Sequence, residues 1–191
     1  MHAVIFEVLP SETGYQRYLD LAAALRPQLE RIDGFLSIER FRSLTNAGWI
    51  LSLSLWRDEA ALIQWRGHGE HHAAQALGRE SIFQDYRIRV ARIADPLACQ
   101  SPLPVIGLRE LRNADMPGTG SSYESLTTSG KRLLLRDFDT PQDALTWKQQ
   151  AGADAMCGEV IRDYGLFDRA QAPQQFPPVA KRSDARRKEG T

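Results

Sequence analysis

The chain of 191 residues has few of the features that mark the common specialised classes of protein. Its two cysteines, Cys99 and Cys157, have no CxxC or zinc-site spacing, so we expect free thiols in a reducing, cytoplasmic compartment. The 24 basic and 24 acidic side chains cancel, which argues against a nucleic-acid partner, because such binders usually carry a basic excess. No apolar run reaches membrane-spanning length, and the first ten residues lack the basic region of a signal peptide. These absences predict a soluble protein without a membrane partner.

The sequence also lacks the short motifs that bind common cofactors. It contains no Gly-rich phosphate loop, no GxSxG nucleophile motif and no nicotinamide or flavin fingerprint. Any redox chemistry would therefore proceed without a cofactor or use haem. The apolar content, in contrast, is an ordinary 42%, which predicts a packed core.

An internal repeat dominates what is present. FRSLTNAGWILSLSLWRDEAALIQW (41–65) aligns without gaps with YESLTTSGKRLLLRDFDTPQDALTW (123–147), at an offset of 123 − 41 = 82 positions. Seven positions are identical, among them Gly48/Gly130 in a turn and Trp65/Trp147 at the end. The identities fall on one turn, one strand face and one helix position, so we interpret them as two copies of one supersecondary module.

The first copy has the pattern of a split βαβ module. Alternating apolar residues predict strands at 2–9, 35–44, 49–56 and 83–93. Helical spacing predicts a helix over 11–33, with Ser11 as N-cap and Pro27 disturbing its last turns, then a helix capped by Asp58 and a short helix over 70–80. The order β-α-β-β-α-β is the ferredoxin-like one.

The second copy is reduced. We predict strands at 104–111 and 158–167, a hairpin, a helix over 139–150, and a Gly/Pro-rich loop at 113–122 where the first helix would be. The chain thus divides into a first module (1–94), a linker (95–103), a second module (104–170) and a flexible, Pro-rich basic tail (171–191). The fold class is α+β, with two ferredoxin-like sheets packed face to face because each has one open apolar face. Pairing within one chain and pairing between chains both stay open.

The stretches FRSLTNAGWILSLSLWRDEAALIQWR (41–66) and EHHAAQALGRESIFQDYRIRVARI (70–93) resemble the antibiotic biosynthesis monooxygenase (ABM) superfamily of dimeric α+β barrels. The most specific features are Gly34-Phe35, the SLW-RDEAAL-W block and the DYRIRVAR strand. The resemblance covers residues 2–93 as one module, with 104–168 as a degenerate second copy. It implies a small-molecule substrate and a homodimer.

The resemblance implies two kinds of chemistry. Some members of the superfamily are cofactor-independent oxygenases of quinols, in which the substrate itself activates oxygen. Others degrade haem with a first-strand Asn, a Trp and a haem-ligating His. Trp65 matches that Trp, but the His position falls on Gln75, and Glu7 is the nearest polar residue to the Asn position. We therefore expect a cofactor-independent monooxygenase of a small aromatic or quinol, and keep a non-catalytic ligand-binding or haem-binding barrel as the alternative.

The candidate catalytic residues are His71 and His72, one of which should face the cleft as a general base. We expect no metal site, because Gly67 and Gly69 disfavour a helix that would align His68 with them. The candidate substrate pocket consists of Trp56, Trp65, Ser52 and Ser54. Core packing is the competing role for the tryptophans, and an exposed strand face for the serines. Arg87 and Arg89 alternate with apolar residues on the last strand, and we expect them to face solvent rather than an anionic substrate.

Overall fold

The computed structural model describes residues 1–94, 104–111, 119–173, 176 and 179. The predicted linker, with Cys99, lies outside these residues, as do most of the predicted 113–122 loop and most of the tail. The strands are β1 (His2–Pro10), β2 (Phe35–Ser43), β3 (Ile50–Trp56), β4 (Phe83–Ile93), β5 (Val105–Leu111), β6 (Ser121–Ser125), β7 (Arg132–Phe138) and β8 (Ala155–Gly165). The helices are α1 (Gly14–Leu29), α2 (Glu59–Arg66), α3 (Gly69–Leu77), a π-helical turn (Gly78–Ile82) and α4 (Pro141–Ala151).

All eight strands form one closed barrel, in the order β1-β3-β2-β6-β7-β5-β8-β4. The two copies meet at two antiparallel seams, where β2 pairs with β6 (Phe41 opposite Ser125) and β4 pairs with β8 (Ile88 opposite Tyr164). The α+β barrel predicted from the sequence is confirmed, and the two modules pair within a single chain. A second chain is not needed to close the barrel, so the homodimer stays a prediction.

The barrel interior holds the inward faces of both copies, because successive strand residues point to opposite sides of a sheet. Its buried apolar residues are Ala3, Ile5, Phe41, Leu51, Leu53, Ala91, Ile106, Leu108, Tyr123, Leu133, Leu135 and Val160. Arg89 is also buried, contrary to the expectation that it faces solvent. It donates to Glu7 at 2.7 Å and to Asp137, while the Tyr123 hydroxyl donates to Glu7 at 2.7 Å. This paired network explains how the barrel holds a buried guanidinium.

The repeated turn has the same structure in both copies. The hairpins share one register, with Phe41 opposite Leu51 in the first copy and Tyr123 opposite Leu133 in the second. The Oγ atoms of Ser43 and Ser125 each accept a backbone N–H three residues on, both at 2.9 Å. Gly48 and Gly130 follow with φ of 82° and 74°, values that favour glycine. Ser43/Ser125 and Gly48/Gly130, two of the seven identical pairs, are therefore residues that this turn requires.

The helix after each hairpin is capped in the same way. The Asp58 carboxylate accepts the N–H of Ala61 at 2.9 Å, as predicted. Thr140, 82 positions later, accepts the N–H of Asp143 through its hydroxyl at 3.1 Å. The shared topology of 41–65 and 123–147 is confirmed by register, turn and cap together.

The ends of α1 differ from the prediction. Ser11 is not the N-cap: its backbone N–H donates to the Ile82 carbonyl at 2.8 Å, and the cap residue is Thr13, without a side-chain hydrogen bond. The helix starts at Gly14, where a Cβ atom would lie 2.4 Å from the Ile82 oxygen, so the start of α1 is fixed by contact with the π-helical turn. Pro27 lies inside the last turn, and α1 ends at Leu29, short of residue 33.

Candidate functional site

A cavity of about 210 Å³ lies in the first copy, between the outer face of the sheet and the helices α1, α2 and α3. The aromatic and aliphatic side chains around it come from two clusters, one centred on Trp56 and Trp65 and the other on Tyr18 and Tyr86. A mostly apolar cavity with a few polar groups is the usual form of a small-molecule site. The candidate pocket residues Trp56, Trp65, Ser52 and Ser54 all line this cavity, which lies outside the barrel and not within it.

The floor of the cavity is a regular grid, because the outward residues of neighbouring strands are opposite one another. One row crosses five strands through Tyr164, Ile88, Phe6, Ser52 and Arg40. The next row runs through Val90, Val4, Ser54 and Ile38. All nine side chains line the cavity. Ser52 and Ser54 thus lie on its floor, and the alternative of an exposed strand face does not apply to them.

Trp56 and Ser54 form one hydrogen-bonded unit. The indole Nε1 of Trp56 donates to the Ser54 hydroxyl at 2.9 Å, and both side chains are buried. A buried indole N–H needs an acceptor, so Ser54 has a structural role beside its place in the cavity. Ser52 differs: in the part of the chain that the structure describes, its hydroxyl has no hydrogen-bond partner, although the residue is only 6% exposed.

The roof of the cavity carries a polar row on one helix face. His71, Gln75 and Arg79 are spaced four residues apart along α3 and the π-helical turn, and all three line the cavity. The His71 ring stacks on Trp65, with centroids 4.3 Å apart. Nδ1 of His71 lies 3.0 Å from the Trp65 carbonyl oxygen and therefore carries the proton. Nε2 is left as the unprotonated ring nitrogen, and the Gln75 amide nitrogen lies 3.2 Å from Nδ1 and 3.4 Å from Nε2.

Burial keeps the His71 imidazole neutral. Desolvation lowers the pKa of His71 from 6.5 to about 4, and the hydrogen bond to the Trp65 carbonyl opposes that change only in part. At neutral pH the ring is therefore an uncharged base with a fixed tautomer. A neutral imidazole with an unprotonated Nε2 can take a proton from a bound molecule, and its low pKa makes it a weak base.

The second predicted catalytic residue, His72, does not line the cavity. Its side chain is exposed and stacks on Phe176 at a centroid distance of 5.1 Å. The other possible metal ligands nearby are also dispersed: the Glu70 carboxylate accepts a hydrogen bond from the Gln28 amide at 2.7 Å, and the His68 ring stacks on Trp65. Across residues 1–94, 104–111, 119–173, 176 and 179, no group of three His, Cys, Asp or Glu side chains is placed to hold a metal ion.

Arginines and tyrosines are the residues that sequence reasoning missed. Arg40, Arg66, Arg79 and Arg169 line the cavity, while no Asp or Glu does so among the described residues. Arg79 and Arg169 both donate to the Tyr86 hydroxyl, at 2.5 and 2.8 Å. The signal for Arg40 was in the strand alternation, since it shares the outward face with Ile38. Arg169 comes from beyond the repeat, where no pattern marked it.

The second copy fills the space that the cavity occupies in the first. Trp147, the counterpart of Trp65, packs on β5 at Gly107, where a Cβ atom would lie 2.5 Å from the indole ring. Phe138, the counterpart of Trp56, fills the same space, and its ring would lie 2.8 Å from that Cβ atom. The second half of the chain still contributes to the cavity of the first, through Tyr164, Arg169 and Phe176. The cavity thus lies in the first copy, but part of its lining comes from the second.

Comparison with known proteins places the chain in a family. The sequence profile described as "Antibiotic biosynthesis monooxygenase" matches residues 1–77. The "Jasmonate monooxygenase ABM" of Pyricularia oryzae is 31% identical over 218 aligned positions, which cover 94% of this chain and all of that protein. The "Uncharacterized protein YqjZ" of Bacillus subtilis is 37% identical over 98 positions, covering 48% of this chain and 78% of that protein.

Among solved structures, Rv0793 from Mycobacterium tuberculosis is similar with a TM-score of 0.45 and 21% identity, covering 49% of this chain and 95% of that one. No helix in the described part of the chain is both long and apolar enough to cross a membrane. The full-length match to the fungal relative carries the assignment, since it spans both copies and the strands that join them. The chain belongs to the antibiotic biosynthesis monooxygenase family.

Proposed function

We propose that the protein is a cofactor-independent monooxygenase that oxidises a small aromatic or quinol-type molecule in the cavity of the first copy, with His71 as general base. The observation that carries the proposal is the His71 ring, neutral and fixed in one tautomer on the wall of a mostly apolar cavity. The name of the fungal relative supports the reaction class, because that protein is called a monooxygenase.

The reaction needs only the substrate, O₂ and a base. Nε2 of His71 takes a proton from an activated CH₂ group or from the phenol conjugated with it, which leaves an electron-rich anion. The anion gives one electron to O₂, and the radical pair combines into a carbon-bound peroxide. The imidazolium returns its proton to the peroxide, which then loses water to give a carbonyl. One oxygen atom enters the product and the other leaves as water, so CH₂ + O₂ becomes C=O + H₂O.

The charges around the cavity support the first step. A substrate anion is stabilised by nearby guanidinium groups, and four arginines line this cavity. Arg79 lies two helical turns after His71 on the same helix face, so a cation accompanies the base on the roof. This arrangement lowers the free energy of the anion and compensates for the weak basicity of a desolvated imidazole.

The haem-binding alternative is weaker on the residues present. A ligand for the haem iron would have to come from His71, because Gln75 occupies the position of the usual histidine. The Gln75 amide nitrogen lies 3.2 Å from Nδ1 and 3.4 Å from Nε2 of His71, so the Gln75 side chain occupies the space beside the ring edge that a metal ion would need. The proton on Nδ1 is held by the Trp65 carbonyl. The residues as arranged therefore do not fit a haem.

The test is oxygen consumption by the purified protein with a panel of hydroquinones and anthrones, without added cofactor. We expect turnover, and we expect His71→Gln to reduce kcat by about 10²- to 10⁴-fold, the usual contribution of a general base. His72→Gln is the matched control, because its exposed ring lies at the next position and outside the cavity. Equal activity of the His71 variant would contradict the role of the base. A Soret band in the purified protein would instead favour haem.

A further inference from the structure

We infer that Arg40, Ser52 and Tyr18 form an anion subsite on the cavity floor, and that the substrate is a small, mostly apolar molecule carrying one carboxylate. The inference rests on the proposed function in one respect, namely that the bound anion is a substrate.

Arg40 differs from the other arginines of its part of the sheet. Arg42, two residues along β2, pairs with Glu124, and Arg87 on β4 pairs with Asp163. Arg40 is half-buried and lines the cavity, yet in the described part of the chain no carboxylate lies within ion-pair distance of it. Its contacts are the Tyr18 ring, 5.8 Å from the guanidinium carbon, and the Tyr18 hydroxyl, which accepts from Nε at 3.4 Å. A guanidinium in an apolar wall without a carboxylate is suited to bind an anion from outside the chain.

Ser52 supplies the second donor. It lies directly opposite Arg40 in the β2–β3 register, so the two side chains are neighbours on the same face. Its hydroxyl has no partner among the described residues, whereas the hydroxyl of Ser54 is taken by the Trp56 indole. The Ser52 hydroxyl therefore has both its O–H and its oxygen open to a ligand, whereas the Ser54 oxygen is already occupied by the indole N–H.

Tyr18 supplies the third donor from the opposite side. It is 6% exposed, projects from α1 and lines the cavity. Because its oxygen accepts from Arg40, its own O–H remains to be donated. The guanidinium, the serine hydroxyl and the phenol thus present N–H and O–H donors to one corner of the cavity.

The charge balance decides the class of ligand. Arg40 lines the cavity without an ion-pair partner among the described residues, and none of the described Asp or Glu residues lines the cavity, so a cation is disfavoured and an anion is favoured. The planar fork of an arginine matches the two oxygens of a carboxylate. The remaining lining is mostly aliphatic and aromatic, which favours an apolar body on that carboxylate.

The test measures binding without turnover, by quenching of the fluorescence of the tryptophans that line the cavity. The probes are benzoate, phenylacetate and 1-naphthylacetate, each compared with its uncharged methyl ester. We expect at least one acid to bind about tenfold more tightly than its ester. Arg40→Gln should weaken the binding of that acid by about 10- to 100-fold, the size expected for lost charge-assisted hydrogen bonds, and leave the ester unchanged. Ser52→Ala should produce a smaller loss in the same direction.

Arg42→Gln is the matched control, because it removes a guanidinium two residues away that is exposed and paired with Glu124. It should bind acid and ester as the unmodified protein does, and thermal melts should show that each variant is folded. Equal affinity for acids and esters, equal losses for both in Arg40→Gln, or no binding of any acid would each overturn the subsite. His71→Gln should keep the preference for acids, so failure of the base and failure of the subsite are separate results.

Discussion

Replacing His71 by Gln should change how the stability of the protein depends on pH, and the structure sets the size of the change. In the unfolded chain the imidazole titrates near 6.5, while burial lowers the pKa of His71 in the folded protein to about 4. The unfolded state therefore binds the proton first as pH falls. The contribution of neutral His71 is fully present above pH 6.5 and is lost on acidification towards pH 4. One unit between two pKa values is worth about 1.4 kcal/mol, so the full loss is roughly 3 kcal/mol.

The window from pH 7 to pH 5 gives the sharpest assay. Over this range His71 should lower the free energy of unfolding by about 2 kcal/mol, because the folded imidazole stays neutral while the unfolded one becomes protonated. We expect chemical denaturation to show that the unmodified protein loses about 2 kcal/mol more than His71→Gln between these pH values. His72→Gln, at the neighbouring exposed position, should retain the full difference. Parallel losses in the unmodified protein and His71→Gln would refute the buried, neutral imidazole and the base derived from it.

Two further predictions concern the unequal copies. Gly107→Ala should destabilise the protein by about 1–3 kcal/mol in denaturant melts, because the new methyl group would lie 2.5 Å from the Trp147 ring. Gly69→Ala is the control and should be tolerated, because no atom lies within 4 Å of its new methyl group. Equal stability of the two variants would contradict a second copy whose cavity space is filled. Trp147→Ala should destabilise the protein by about 3–5 kcal/mol as a core truncation, while Trp65→Ala should destabilise it less, since one side of Trp65 already borders the cavity. Trp65→Ala should also weaken ligand binding, measured by quenching of the remaining cavity tryptophan, Trp56. Equal losses of stability with intact binding would make both residues purely structural.

The strands, the hairpins and the starts of the helices that follow them could be predicted from the sequence because short-range features determine them and both copies of the repeat contain those features. The turn serines, the positive-φ glycines and the cap at Asp58 act within a few residues, so their letters specify their structure. The β2–β6 and β4–β8 seams join residues far apart in sequence. No local pattern decides whether such seams form within one chain or between two, and only the structure resolved that alternative.

The site was predicted less completely for a related reason. Trp56, Trp65, Ser52, Ser54 and His71 all line the cavity, because periodicity placed them on the correct faces. His72 was excluded by one helical step of about 100°, which the sequence could not assign without knowing which face packs on the sheet.

The arginines escaped notice because a single Arg in an alternating strand is usually solvated. Arg40 became informative only when the structure showed that it has an apolar cavity beside it and no carboxylate. Arg89 shows the same error, since it was expected to face solvent and the barrel interior buries it beside Glu7 and Asp137. In both cases burial and the identity of the neighbouring acid, neither of which is local in sequence, decide the role.

The division of labour between the copies follows from what a barrel requires. Each sheet must cover the inward face of the other, and this needs only strands with apolar residues at alternate positions; the second copy keeps these in Ile106, Leu108, Leu133 and Leu135. Covering the other sheet requires no cavity under the outer helix.

In the second copy, Gly107 and Arg136 occupy the positions of Val4 and Ser54, so Trp147 can pack directly on the sheet. The second copy thereby exchanges a cavity for a packed core, while its last strand and the residues after it extend to the first cavity with Tyr164 and Arg169. Because the two halves of this chain differ in sequence, each can contribute different residues to the lining of one cavity. Two identical modules could not do so, since any change in one module would also occur in the other.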